Sequence, residues 1–130
     1  MGEGSSYGKD MIFIPGNVPS SKNSKVWTGK FLVSSKAVQQ WKRDTKRYWI
    51  QYQKQFLDLL DLTSPPYRIK FTFIRGTRHK FDYINPAQTV QDEMVHQGWL
   101  ADDNCTILKP VFGSYSYDKQ NPGVWIKVLI

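Results

Sequence analysis

The spacing of apolar positions along this chain switches between a period of two and a period of 3.6, and each switch marks an element. Met11 to Pro15 reads as a short strand and Lys30 to Ser34 as another. Between them, Gly16 to Lys25 is a polar, turn-forming stretch with too few apolar residues to pack. From Ser35 onward, Val38, Trp41, Tyr48, Tyr52, Phe56 and Leu59 recur at three-, four- and seven-residue intervals. That spacing predicts one face of a helix of about seven turns. Ser34 or Ser35 can cap its first turn. Lys42, Arg43, Lys46, Arg47 and Lys54 lie off the apolar face, as either a solvated surface or a set of phosphate contacts. Leu62-Thr63-Ser64-Pro65-Pro66 ends the helix.

Tyr67 to Arg75 alternates, with Tyr67, Ile69, Phe71 and Phe73 on one side, which predicts a half-buried strand. A basic loop with Arg75, Arg78, His79 and Lys80 follows and ends at Asp82. Asn85-Pro86-Ala87-Gln88 then looks like a helix start, with Asn as N-cap, Pro at the first helical position and Gln88 reaching back. Ala87, Val90 and Met94 form the inner face of this shorter helix, and Gly98 stops it. Thr106 to Phe112 and Val124 to Ile130 read as two strands of a terminal hairpin, joined through a polar tip at Tyr117 to Pro122. Residues 1–10 are Gly/Ser-rich and expected to be flexible, which leaves 11–130 as a single domain.

Charge changes this picture. The 28 residues from Phe81 to Leu108 contain five of the eleven carboxylates (Asp82, Asp92, Glu93, Asp102 and Asp103) and no Lys or Arg. The whole chain carries a formal charge of +7, so everything outside that stretch sums to +12. A basic body around a compact acidic centre suits an enzyme that holds a polyanion and places a divalent metal on it. With five Trp, seven Tyr and seven Phe, the chain can build a real core. Cys105 is the only cysteine, which excludes an internal disulfide or a thiolate metal cluster within one chain. Nothing reads as a secretory signal, a transmembrane span or a nucleotide-binding fingerprint, so the expectation is a cytoplasmic protein with no nucleotide cofactor.

Hydrolysis of a phosphodiester at a metal site needs several acidic oxygens converging on the phosphate. Asp82 precedes the shorter helix, while Asp102 and Asp103 follow it. A helix of about 12 residues spans roughly 18 Å, so these groups meet only if the chain folds back after Gly98. Each carboxylate also has a plainer reading. Asp82 suits the positive end of the helix, Asp102-Asp103-Asn104 suits a polar turn, and Asp92-Glu93 suits a solvated helix face, which is the reading preferred for Glu93. His79 fits a phosphate contact or plain surface; His96 suits the negative end of the helix.

The order of these segments resembles the RusA family of Holliday-junction resolvases, particularly phage-borne members. The likeness covers most of the chain. It comprises a strand ending in Pro15, a Pro-Ser-Ser-Lys-Asn-Ser loop, Val33-Ser34-Ser35 opening a long helix, and a strand with a basic run. Asp82 and Asn85 then lead into a helix, followed by Gly98-Trp99-Leu100-Ala101-Asp102-Asp103 and a final hairpin. The resemblance implies an α+β fold, with a small mixed sheet packed against one long and one shorter helix. It further implies a homodimer that nicks four-way DNA junctions with Mg2+, Mn2+ being the alternative ion, in a bacterial cell and on a phage or prophage gene. Two identical sites about a two-fold axis match the near two-fold symmetry of the junction.

By the same resemblance Asp82 and Asp103 are the essential metal-binding aspartates and Asp102 their neighbour. Asn85, Asp92 and Gln88 occupy supporting positions of the motif helix. Lys22, Lys25, Arg75, Arg78, His79 and Lys80 are expected to contact DNA. The family pattern has a second Asp where this chain has Ile84 and a Lys where it has Gln88. Ile cannot ligate a metal and Gln brings no positive charge. Two outcomes follow: a metal held by the remaining carboxylates, with Asp92 or the Asn85 amide oxygen assisting, or a protein that binds junctions without cutting them.

Overall fold

A computed structural model describes residues 10–19, 25–27 and 32–130, the side chains of 25–27 and 32–34 excepted. The expected flexible segment up to residue 9 and the tip of the polar loop at 20–24 lie outside the described residues. The elements run β1 (Met11–Pro15), β2 (Lys25–Trp27), β3 (Leu32–Ser34), α1 (Lys36–Leu60), β4 (Tyr67–Arg75), α2 (Ile84–His96), β5 (Leu108–Phe112), β6 (Ser116–Tyr117) and β7 (Gly123–Leu129). This is an α+β architecture with a five-stranded mixed sheet, a separate β2–β3 pair and two helices.

β4 is the spine of the sheet. Its alternation buries Ile69, Phe71, Phe73 and Arg75 on one face. One edge of β4 pairs antiparallel with β7, which in turn pairs with β1. The other edge pairs in parallel with β5 and, further along, β6. The two C-terminal strands are therefore not a hairpin as expected; β4 lies between them. The reason is the crossover. α2 returns the chain to the start of β4, where β5 can only run parallel, and Val124, Ile126 and Val128 give β7 a buried face that continues those of β1 and β4.

The long helix starts where Ser35 caps it, its hydroxyl accepting from the Val38 amide at 3.3 Å. Val38, Trp41, Phe56 and Leu59 are buried as the spacing predicts, whereas Tyr48 and Tyr52 are only partly so. The stripe turns through two residues outside the expected face. Thr45 donates to the Trp41 carbonyl at 2.8 Å and accepts from the Trp49 indole at 2.9 Å, and both Thr45 and Trp49 are fully buried. Trp41 and Trp49 join Ile12, Ile14, Phe71, Val90 and Met94 in one core. The apolar side of α2 is thus core.

α2 begins one residue ahead of the expected cap. Asn85 and Pro86 lie inside the first turn, where the missing amide of Pro costs nothing because first-turn amides have no helical partner. Gln88 does not reach back to close a capping box. The Ile84 amide instead donates to Asp82 Oδ1 at 2.9 Å. At its other end, Gly98 takes a positive φ of 78° and the chain reverses. The Gly98 amide donates to the Val95 carbonyl at 3.1 Å and the Trp99 amide to the Met94 carbonyl at 2.8 Å, the pattern of a Schellman turn.

Trp99 fixes the direction of that reversal. Its indole donates to the Trp49 carbonyl at 2.9 Å, and its ring meets Trp49 edge-on at 4.9 Å and stacks on Phe56 at 4.6 Å. Full burial of such a ring contributes about 2–3 kcal/mol. This anchor holds the following Asp102-Asp103 segment against α2.

Candidate active site

The fold-back that the helix length demands is present, and it brings Asp103 to α2. Gln88, one turn inside the helix, donates through its side-chain nitrogen to Asp92 Oδ1 at 2.7 Å and to Asp103 Oδ2 at 3.1 Å. One amide thus holds two carboxylates separated by eleven positions in the chain, placing their oxygens within two hydrogen-bond lengths of each other. Asp92 is exposed and Asp103 half-exposed.

Asp103 owes its place to a turn built by its neighbours. The Asp102 carboxylate accepts from the Asp103 amide at 2.7 Å and from the Asn104 side chain at 2.8 Å. These donors, the backbone amide first, hold the Asp102 carboxyl below the usual carboxylate range. Asn104 in turn accepts from the Thr106 amide at 2.9 Å, and its carbonyl accepts from Leu108 at 2.9 Å, joining the turn to β5. Asp102 is therefore a turn-building carboxylate, and Asp103 is the one offered to the helix.

Asp82 sits at the N-terminal end of α2, exposed, with one oxygen on the Ile84 amide. A rise of about 1.5 Å per residue separates it by roughly two turns from the Gln88 bridge. Asn85 is half-buried, and its carbonyl accepts from Thr89 at 3.2 Å. Among the described residues, no three His, Cys, Asp or Glu side chains converge on one point. The donors themselves (Asp82, Asp92, Asp103 and an amide oxygen) are hard oxygens of the kind Mg2+ selects. Asp92 and Asp103 would offer oxygens to a shared cation with the Gln88 amide turned to present its oxygen in place of its nitrogen.

Two charged residues fall in places the sequence did not indicate. Glu93, expected on a solvated face, is 1 % exposed. It faces Lys42 Nζ at 3.8 Å and His96 Nδ1 at 3.5 Å and accepts from Gln97 at 2.9 Å. The helix turn carries it toward α1, and Lys42 turns out of the exposed basic set to meet it. Arg75, expected on DNA, is also buried. Its guanidinium donates to the Val18 carbonyl at 2.6 Å and lies 4.9 Å above the Phe81 ring, so it ties the first loop to the sheet. Burial lowers its pKa from the ordinary value.

Arg78, His79 and Lys80 are exposed beside Asp82, with Arg78 held 4.0 Å over the Tyr117 ring. Lys22 and the Lys25 side chain lie outside the described residues. The sequence reading missed the aromatic residues around Asp82. Phe81, Tyr83, Phe112 and Tyr115 form a connected cluster at the surface. The signal was the interleaving of rings and carboxylate in Phe81-Asp82-Tyr83.

No protein-family model matches the chain, and no curated protein matches it. Among the described residues, no helix is long and apolar enough to cross a membrane.

Proposed function

We propose that this chain is a Mg2+-dependent endonuclease that nicks four-way DNA junctions, working as a homodimer on branched DNA in a bacterial cell and encoded by a phage or prophage. The observation that carries the reading is the Gln88 bridge, which draws Asp92 and Asp103 together on the helix that Asp82 opens. The segregation of charge supports it, because the +12 of the remaining chain attracts a phosphate backbone while Asp82, Asp92 and Asp103 stay outside the core along one stretch of chain. Asp82 and Asp103 would hold the metal, with Asp92 or Asn85 assisting and Asp102 shaping the turn. The metal supplies an activated water and neutralises charge on the phosphate. Arg78, His79 and Lys80 would position the backbone beside it.

A second reading has its own support. Ile84 is 71 % exposed at a position where a ligand is expected by resemblance, and the Gln88 amide donates to the carboxylates that would otherwise face a cation. A protein that binds junctions without cutting them fits both observations.

A labelled synthetic four-way junction, incubated with the protein in Mg2+ and in Mn2+ beside a linear duplex, separates the two. The expected result is paired, symmetric nicks on the junction alone. Asp103→Asn should slow them by about three orders of magnitude, equivalent to about 4 kcal/mol of barrier, while junction binding persists. Tight binding with no nicks in either metal would establish the silent binder. Undiminished cutting by Asp103→Asn would remove Asp103 from the site.

A further inference from the structure

The rings around Asp82 form a connected group whose inner members pack on the core while its outer members stay in water. Phe81 lies 5.0 Å from Tyr83 and 5.0 Å from Tyr115, and Tyr83 stacks on Phe112 at 5.3 Å with planes 25° apart. The inner side of the group is anchored: Phe81 meets Phe73 at 5.6 Å, and the Tyr83 hydroxyl accepts from the Tyr115 amide at 3.3 Å. The outer side is open, with Phe112 39 %, Tyr115 53 % and neighbouring Ile84 71 % exposed. Beyond it stands Tyr117, 38 % exposed, with Arg78 over its ring.

A contiguous apolar surface kept in water marks a binding surface. Its setting selects the occupant. Arg78, His79 and Lys80 are exposed immediately before Phe81, and Arg78 stands over Tyr117, so an anionic partner is favoured. A partner combining negative charge with flat π faces is a nucleic acid whose bases are out of the duplex stack, because paired bases present no free face. We propose that Phe81, Tyr83, Phe112 and Tyr115 form a stacking platform for unpaired nucleobases next to Asp82. This rests on the nucleic-acid part of the proposed function and is independent of cleavage.

The test compares two labelled probes in EDTA, where no cleavage is read: an oligothymidylate, and an oligomer with the same number of phosphates but abasic central nucleotides. Binding is followed by fluorescence anisotropy. The wild-type protein should bind the oligothymidylate about tenfold more tightly at fixed salt, with similar salt slopes for both because the phosphates are unchanged. Tyr115→Ala should reduce that preference, Phe112→Ala with Tyr115→Ala should abolish it, and Tyr115→Phe should retain it. The single variant removes an exposed ring and keeps the test valid if the double variant does not fold. Equal wild-type affinity for both probes would overturn the proposal. So would a preference that survives the double variant, or a change in sedimentation on ring removal with the base preference intact, which would make the patch a self-association surface. Junction nicking without base preference would end this inference and leave the nuclease; base preference without nicking would do the reverse.

Discussion

Asp92 and Glu93 are neighbours in sequence and opposites in environment. Asp92 is exposed, and its carboxylate is held by Gln88 beside Asp103. Glu93, about 100° further round α2, is buried beneath α1 against Lys42, His96 and Gln97. An acidic segment is thus not one acidic site. The helix divides its carboxylates between a solvent side, where a cation and a phosphate have access, and a core side, where a charge survives only with partners. The same division separates Arg75, buried on the Val18 carbonyl, from Arg78, exposed three residues later.

Charge reversal at the two neighbours is the strongest way to break this comparison. Glu93→Lys places a cation at a buried point already facing Lys42, and should cost about 3–5 kcal/mol in urea denaturation at neutral pH. Asp92→Lys puts the same side chain in water, next to Asp103, and should change stability by less than about 1 kcal/mol. Equal losses would mean that the two sides of α2 do not differ as described.

The arginine pair gives a smaller contrast with two different readouts. Arg75→Ala leaves the Val18 carbonyl without its donor and removes the cation over Phe81, and should destabilise the fold by about 2–3 kcal/mol. Arg78→Ala should leave the fold nearly unchanged, weaken DNA binding similarly for all sequences and reduce the salt slope by about one unit. A normal melting curve for Arg75→Ala would show that its buried contacts contribute little. An unchanged slope for Arg78→Ala would make Arg78 plain surface.

What the sequence could and could not show follows the range of the interactions involved. β1 and β4 were legible to the residue, because alternation is a local signal. A cap at Ser34 or Ser35, of which the structure uses Ser35, and the stop at Gly98 were legible for the same reason. Trp49 was missed because its stripe passes through Thr45, a polar residue that becomes core by bonding Trp41 and Trp49; the four-residue spacing of Trp41, Thr45 and Trp49 was the available clue. The hairpin expectation failed because adjacency in sequence says nothing about β4 entering between β5 and β7. At the site, the need for a fold-back could be stated from helix length alone. That it occurs depends on Trp99 reaching Trp49 and Phe56, contacts across about fifty positions that no local pattern encodes.

The finest distinction is between Asp102 and Asp103, adjacent carboxylates of which one builds the turn and the other is presented by it. Hydrogen bonds from the Asp103 amide and the Asn104 side chain hold the Asp102 pKa below its ordinary 3.8. A carboxyl with a depressed folded pKa contributes stability that is fully present above the unfolded value. That contribution is lost as the pH falls through the lower, folded one. Asp102→Asn can still accept a hydrogen bond but carries no charge to protonate. The stability difference between wild type and variant should therefore be constant from pH 7 down to about 5 and shrink as the pH falls below 4. The effect is small, because the group is exposed, and paired denaturation curves from pH 7 to 2.5 would reveal it. A difference that stays flat to the lowest pH would mean that the charge on Asp102 does not hold the turn.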